Sequence, residues 1–178
     1  AVWLLGLASA SLYVTRFGLN SWLVLYLQEA KGYDNLAAGG TAAILPIVGI
    51  AGTLLAGTIS DLLFRSRRVP VLLLYGVVLL AGLLGLRLVP PGHPWWDGAL
   101  VTAIGFAIGG LLVFLGGLMA VDLCPRAATG ATMGFIGLFS YVGASAQDWV
   151  TGMILEANKT VVGGTTHYDF ELAYGFWV

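Results

Sequence analysis

Charge is scarce in this chain. Lysine and arginine number 8, and aspartate and glutamate 9, so charged residues make up 10% of the sequence, against about 25% in ordinary soluble domains. Hydrophobic residues make up 58%. This composition excludes a soluble globular domain and predicts an integral membrane protein whose partner is the lipid bilayer. The net charge is −1 and the longest basic run is at Arg65–Arg68, so we expect no nucleic-acid partner.

Cysteine and histidine are scarce as well. The single cysteine, Cys124, excludes an internal disulfide and a cysteine metal cluster. His93 and His167 fall in predicted loops, and no acid or histidine pair lies at one depth of an apolar segment, which disfavours an intramembrane enzyme. The sequence predicts no catalytic residue, no metal site and no cofactor. It begins without methionine and without a charged region before its apolar run, so we expect part of a longer protein rather than a signal peptide.

Long apolar runs dominate the sequence. Five segments are long enough for a helix to cross about 30 Å of hydrocarbon, which takes roughly 20 residues. They span Val2 to Gln28, Leu36 to Phe64, Val69 to Leu88, Ala99 to Leu123 and Ala127 to Glu156. A sixth run, FELAYGFWV, starts at Phe170 and is too short to span, so it is either the start of a sixth helix or an interfacial segment. The predicted fold class is an all-α, polytopic membrane helical bundle with five full transmembrane helices plus the start of a sixth.

The connections between these segments alternate in charge. The second and fourth connections are short and contain Arg65, Arg67, Arg68 and Arg126. In the other connections the basic residues are diluted by acids. The positive-inside rule therefore places the second and fourth connections in the cytoplasm. The turn from Pro90 to Trp96, which contains two tryptophans, then lies on the outer side, where tryptophan anchors helices at the membrane interface.

Arg16 is the one charged residue inside the first apolar segment. Near mid-depth of a bilayer an arginine costs about 2.5–3.5 kcal/mol by insertion measurements, so it should face protein or water. Tyr13, Arg16 and Asn20 recur at i, i+3 and i+7, which places them in one stripe of the helix. Because a guanidinium presents five donors that fit carboxylate or phosphate oxygens, the stripe predicts an anion-binding site. The alternative is that Arg16 is a structural partner for an acid on another helix, such as Asp148.

Small and polar residues form a second stripe in the fifth segment. Its members, which fall within about 60° of one another on a helical wheel, are Gly130, Gly134, Gly137, Tyr141, Ser145 and Asp148. Such a face suits close helix packing and cavity lining equally, although the Tyr141 hydroxyl needs a partner at that depth. Asp148 lies near the outer end, where we expect a solvated acid. Gly105 and Gly109 have the small-xxx-small spacing of a packing face in the fourth segment.

The end of the second segment, GTLLAGTISDLLFRSRR, combines glycines, an acid and arginines at a predicted cytoplasmic turn. We expect Gly57 to allow close helix contact. Asp61 can pair with nearby arginines or cap a helix N-terminus. The candidate gating residues are Gly52, Gly57, Asp61, Arg65, Arg67 and Arg68. The string resembles the major facilitator superfamily signature G-x-x-x-D-[RK]-x-G-[RK]-[RK]. Leu62 replaces the first basic residue, and Ser66 or its neighbour replaces the glycine.

Together with LYVTRFGLNSW and GATMGFIGLFSYVGAS, this string also resembles the organophosphate:phosphate antiporter family. The resemblance covers nearly the whole chain. It implies that residues 1–178 are the C-terminal six-helix half of a transporter, helices 7 to the start of 12, with the N-terminal half absent. In that family an arginine of the seventh helix, with a tyrosine three residues earlier, binds the substrate phosphate, and these positions match Arg16 and Tyr13. A tyrosine of the eleventh helix matches Tyr141.

Three positions depart from the family pattern. Met133 and Ile136 align where a hexose-phosphate transporter has an acid and a lysine, and Gly110 aligns where a glycerol-3-phosphate carrier has a tyrosine. Neither pocket is therefore reproduced in full.

The resemblance implies a secondary active transporter of a bacterial inner membrane. It would exchange an organic phosphate ester for inorganic phosphate by alternating access, with Arg16 binding the phosphate and the N-terminal half supplying a second cation. The alternative is a membrane sensor of the same fold that binds a sugar phosphate and signals to a partner.

Overall fold

Six helical rods run through residues 2–65, 67–162 and 165–178, the residues that a computed structural model of the protein describes. The helices are α1 (Val2–Lys31), α2 (Asn35–Phe64), α3 (Arg68–Leu88), α4 (Pro94–Val113), α5 (Met119–Leu123), α6 (Thr129–Ala157) and α7 (Glu171–Trp177). A π-helical turn, Phe114–Leu118, joins α4 to α5 in one rod. Asp34 caps α2 by accepting a hydrogen bond from the Ala37 N–H at 3.1 Å, which satisfies one of the free donors at a helix start.

The predicted order of helices is confirmed, with small shifts at the ends. Four rods are long and apolar enough to cross a membrane, namely Val2–Lys31, Asn35–Leu62, Arg68–Leu88 and Pro94–Leu123. Helix α6 has 29 residues but contains Gln147, Asp148 and Glu156, and it is not in this group. A fifth spanning helix therefore remains a prediction.

The C-terminal segment is helical and enters the bundle. The indole N–H of Trp177 donates to Thr151 of α6 at 2.9 Å, while its backbone oxygen accepts a hydrogen bond from Thr15 of α1 at 2.6 Å. Its ring also lies against Gly18, near the middle of α1, where a Cβ would be 2.8 Å from the indole. Of the two alternatives for this segment, the start of a sixth helix is the one that the packing favours.

A short antiparallel hairpin departs from the all-α expectation. Strand β1 (Lys159–Val162) pairs with β2 (Thr165–Tyr168), with Lys159 opposite Tyr168 and Thr160 opposite His167. The apolar runs predict no element between Glu156 and Phe170. The two strands are rich in valine and threonine, whose β-branched side chains favour extended backbone.

The helices pack as two pairs, α1 on α6 and α2 on α4, with α3 against α4. A Cβ at Gly109 would overlap the backbone oxygen of Gly49, and one at Gly105 would lie 2.5 Å from the backbone oxygen of Leu45. The predicted small-residue packing of the fourth segment is therefore confirmed. Gly52 makes the same kind of contact with the backbone of Phe106, so α2 and α4 meet backbone to backbone.

Helix α6 packs on α1 through a different face from the predicted stripe. Gly143 faces the backbone of Ala10, and the hydroxyls of Ser9 and Ser140 are hydrogen-bonded at 2.7 Å. By contrast, Gly130, Gly134 and Gly137 have open space where a Cβ would be. Within the described part of the chain, these three glycines are not packing residues. The hydroxyl pair allows Ser9 and Ser140 to be buried with their polar atoms partnered.

Opposite charges close one end of the bundle. The Lys31 ammonium lies 3.1 Å from a carboxylate oxygen of Asp97, and both side chains are buried, with exposed fractions of 3% and 0%. Lys31 also donates to the backbone oxygen of Val89, and Tyr33 donates to the other Asp97 oxygen at 2.9 Å. Burial raises the pKa of Tyr33 to about 12, and the hydrogen bond to Asp97 adds to this shift. In the sequence, Lys31 and Asp97 fall in different connections between the apolar segments.

Replacing Lys31 by methionine should lower the free energy of unfolding by about 3–5 kcal/mol, because Asp97 would remain buried without its cation. Reversible SDS unfolding followed by tryptophan fluorescence measures this. Arg87→Met is the matched control, since it removes the exposed pair with Glu171 (3.3 Å) and should cost at most about 1 kcal/mol. Equal losses in the two variants would contradict the buried pair.

Gly109→Ala should lower the free energy of unfolding by about 1–3 kcal/mol, because the added methyl overlaps the backbone of α2. Gly57→Ala should leave stability unchanged or raise it, since no atom lies within 4 Å of its Cβ position and alanine favours helix by about 1 kcal/mol. The same unfolding assay applies. A fully tolerated Gly109→Ala would show that the backbone contact does not hold the two helices together.

Candidate anion-binding site

Arg16 lies on α1, half-buried, beside two aromatic rings. The central carbon of its guanidinium is 5.4 Å from the centroid of Tyr13 and 5.6 Å from that of Phe17, and the two rings are stacked on each other. Contacts at this distance attract a cation to the ring faces by about 0.5–2 kcal/mol. The charge is thus held in place without using its N–H donors.

No carboxylate of the described chain pairs with Arg16. Asp148, the alternative partner considered from the sequence, is exposed and lines a separate groove on α6 with Trp149 and Glu156. An ion pair between Arg16 and Asp148 is therefore not formed. The guanidinium has its donors available to an external anion, and the planar fork suits two oxygens of one phosphate.

A cavity of about 270 Å³ lies beside Arg16, between α1 and the α2–α4 pair. Arg16 and Asn20 line it from α1. The opposite wall, which we call the α2–α4 wall, is formed by Leu45, Pro46, Gly49, Ile50, Thr53, Leu54, Gly105, Ile108, Gly109 and Leu112. Thr53 is the polar side chain of this wall, and its hydroxyl donates to the backbone oxygen of Gly49 (2.9 Å) or Gly109 (3.2 Å).

The predicted site residues come together in two ways. Arg16 and Asn20 share the cavity, as their stripe predicts. Tyr13 and Tyr141 are joined through their rings, 5.8 Å apart and nearly perpendicular, but they do not line the cavity. Tyr141 is 64% exposed, so it lies on an open surface of α6 within the described residues.

Sequence reasoning missed Phe17 and most of the α2–α4 wall, of which it had named Gly105 and Gly109 as packing residues. Thr53 follows Gly49 by four residues, on the face of α2 that contacts α4, and this spacing could have indicated it. Among the described residues, no three His, Cys, Asp or Glu side chains are grouped as metal ligands.

Of the candidate gating residues, Arg68 and Asp61 lie close together. Arg68 lies 3.9 Å from Asp61, 3.3 Å from Asp122 and 3.3 Å from the Ser60 hydroxyl. We call these four residues the Arg68 cluster. Its link to Asp122 of α5 was not predicted.

The other members of that set have different environments. Arg65 ends α2 in a left-handed conformation (φ 50°), and the Arg67 side chain is exposed. Gly52 makes a close contact with the backbone of α4. The expectation of close helix contact at Gly57 is wrong in the described structure, because its side of α2 faces open space.

The three positions that depart from the family pattern have different environments in the structure. Gly110 is covered by the ring of Tyr75, which a Cβ would overlap, so a larger residue fits there only if Tyr75 moves. Ile136 is buried in the helix packing, with 1% exposed, whereas Met133 is exposed. Neither Met133 nor Ile136 lines the cavity beside Arg16.

The family model described as Major Facilitator Superfamily matches residues 1–147. The chain belongs to the major facilitator superfamily. This is a family of membrane transporters rather than enzymes, and four of the helical rods described above are long and apolar enough to cross a membrane.

Curated relatives within the superfamily have related names. The glycerol-3-phosphate transporter of Bacillus subtilis is 38% identical, over 82% of this chain and 32% of that protein. A protein of Chlamydia muridarum named as a probable hexose phosphate transport protein is 37% identical, over 83% and 34%. The membrane sensor protein UhpC of Salmonella typhimurium is 34% identical, over 87% and 35%. The chain therefore spans about a third of the length of these relatives.

Arg68→Gln should make the cavity more accessible from the end of the bundle that contains the Arg68 cluster, because two ion pairs are lost. A cysteine at position 53 of the full-length protein, reacted with a membrane-impermeant thiol reagent, reports this. We expect labelling about fivefold faster, the change in population that about 1 kcal/mol produces. Arg67→Gln is the control, and equal acceleration in both variants would contradict a specific role for the cluster.

Proposed function

We propose that this chain is the C-terminal half of a secondary transporter that exchanges an organic phosphate ester for inorganic phosphate. The observation that carries the proposal is the Arg16 guanidinium, which pairs with no carboxylate of the described residues and lies beside a cavity between candidate membrane-spanning helices. Intramembrane arginines are costly and commonly mark substrate sites. The names of the glycerol-3-phosphate and hexose phosphate relatives support a phosphorylated substrate.

Arg16 binds the phosphate group in this proposal. A phosphate monoester carries about −1.5 to −2 charges at pH 7, so one guanidinium does not neutralise it. The second cation comes from the N-terminal half, which this sequence does not contain. Asn20, one turn further along α1, supplies an amide to the same anion. Tyr13 and Tyr141 act from the adjoining surface, Tyr13 by holding the guanidinium and Tyr141 by packing against Tyr13.

Alternating access follows from charge neutralisation between the halves. Substrate phosphate draws the two cations together and lowers the cost of closing the site in a low dielectric. In this proposal, the Arg68 cluster opens and closes the end of the bundle that is nearest α5. We place the protein in a bacterial inner membrane, as the bacterial sources of the relatives suggest.

A sensor is the second candidate function. The similarity to the membrane sensor protein UhpC favours it, since that relative is nearly as similar as the transporters are. A sensor would bind the phosphate ester through the same residues and exchange it slowly. Counterflow of labelled phosphate in proteoliposomes containing the full-length protein separates the two, because a transporter fills phosphate-loaded vesicles and a sensor does not.

Arg16→Lys should reduce exchange of labelled phosphate by about 100-fold or more. Lysine keeps the positive charge but lacks the planar guanidinium that donates two hydrogen bonds to one phosphate, and such a charge-assisted bidentate pair is worth about 3 kcal/mol. Arg87→Lys, at the exposed end of α3, is the control and should retain exchange. The full-length protein reconstituted in liposomes is the system to use. Wild-type exchange by Arg16→Lys would overturn the proposed role of Arg16.

A further inference from the structure

Phe17 is the aromatic neighbour of Arg16 to which the proposed function gives no role. We propose that it is a positioning residue, whose ring acts with that of Tyr13 to fix the direction in which the Arg16 guanidinium presents its N–H donors. This inference rests on the proposed function and deepens it, because it names a residue that acts on the anion through Arg16. Phe17 does not itself line the cavity, and its phenyl ring has no N–H or O–H to donate to a phosphate.

The guanidinium and the two rings form a nearly equilateral triangle. The central carbon of the guanidinium lies 5.4 Å from the centroid of Tyr13 and 5.6 Å from that of Phe17. The two centroids are 5.7 Å apart, with an angle of 25° between the ring planes. Both cation distances are within the roughly 6 Å over which a ring face attracts a cation. Because the guanidinium contacts two centres instead of one, its rotation is restricted as well as its distance.

Helical spacing brings these groups together. Tyr13 lies three residues before Arg16 and four before Phe17, and these are the separations at which side chains meet on a helix surface. All three residues are half-buried and belong to α1, so the triangle is formed entirely within the described chain. Tyr141 of α6 lies across the Tyr13 ring, 5.8 Å away and at 71°. Tyr13 is therefore held between a second helix and Phe17.

Fixing the direction of the side chain matters for arginine. A free arginine has many rotamers and loses them when it binds a ligand. Its donors lie in one plane, so two of them reach two oxygens of one phosphate only when that plane is turned toward the anion. Rings that hold the plane before the anion arrives reduce this cost by preorganisation. An ammonium gains no such direction from the same rings, because its three donors rotate freely.

Thermal stabilisation by inorganic phosphate tests the role of Phe17 in the full-length protein in detergent. Each variant is titrated at constant ionic strength, and the melting temperature, followed by tryptophan fluorescence, gives the apparent Kd for phosphate. Phe17→Leu keeps a hydrocarbon side chain but removes the ring, and it should raise this Kd by about three- to tenfold, the ratio that a cation–π contact supports. Phe17→Tyr keeps the ring and should restore wild-type binding.

Phe139→Leu is the matched control. Phe139 of α6 is also half-buried, and its ring also lies among aromatic rings, those of Trp3 (5.6 Å) and Phe135 (4.8 Å). The ring contacts of Arg16 among the described residues are with Tyr13 and Phe17. Phe139→Leu should therefore leave the Kd unchanged. The melting temperature without phosphate reports how much stability each leucine variant loses, separately from its effect on binding.

The Arg16→Lys background distinguishes orientation from packing. In that background, Phe17→Leu should change the Kd by less than about twofold, because an ammonium has no plane to be fixed. A purely structural role of the ring would give the same change in both backgrounds, since independent effects add. The thermal readout extends to weak binding at high phosphate concentration, so the two backgrounds can be compared.

The failure of this inference can be told apart from failure of the proposed function. The inference is overturned, while phosphate binding by Arg16 stands, if Phe17→Leu binds phosphate as the wild type does, if Phe139→Leu weakens binding equally, or if the effect of Phe17→Leu is as large beside Arg16→Lys. If the wild type binds no phosphate, or Arg16→Lys binds it as well as the wild type, the proposed function fails and the inference fails with it.

Discussion

The balance of charge inside an apolar bundle is the constraint on which this structure depends. Helix α1 contains two cations, Lys31 and Arg16, and their surroundings differ. Lys31, at its end, is buried with Asp97 as a counter-ion and Tyr33 as an additional donor to that carboxylate. Arg16, in its middle, has two aromatic rings and an open cavity. Burying an uncompensated charge is expensive, so the lack of a counter-ion for Arg16 among the described residues is the feature on which the proposed anion site depends.

The cavity exists because the helices pack as two pairs that use different contacts. Helices α2 and α4 meet through glycines, so their backbones touch and their larger side chains point away from the contact. Helices α1 and α6 meet through Gly143 and a pair of serine hydroxyls. Each pair is tight within itself, and the space that remains lies between α1 and the α2–α4 wall. The chemistry of the site is therefore divided, with polar groups on α1 and hydrocarbon opposite.

The sequence was sufficient for features with a local cause. Helix order follows from the length of the apolar runs, and the shared placement of Arg16 and Asn20 follows from helical spacing. The Gly105–Gly109 contact follows from small residues four apart. Features that depend on which helices become neighbours could not be predicted.

Two cases show why tertiary contacts escaped prediction. Lys31 and Asp97 are 66 positions apart in the chain, and each resembles an ordinary loop charge until α1 and α4 are placed side by side. Helix α6 has two stripes of small residues. The stripe that packs on α1 is the one that contains Ser140, whose hydroxyl is hydrogen-bonded to that of Ser9. The roles expected of Tyr13 and Tyr141 come from the family resemblance and stay predictions, although helical spacing alone had placed Tyr13 in the stripe of Arg16.

The same elements that form the cavity wall also lead to the Arg68 cluster. Helix α2 lines the cavity at Thr53 and, two turns later, contributes Ser60 and Asp61 to the cluster. Helix α4 lines it up to Leu112 and then passes through the π-helical turn before Asp122. Such turns replace the regular helix pattern and are frequent at functional sites. Along this rod, the backbone contacts that define the wall and the ion pair of Asp122 with Arg68 are therefore joined by its least regular part.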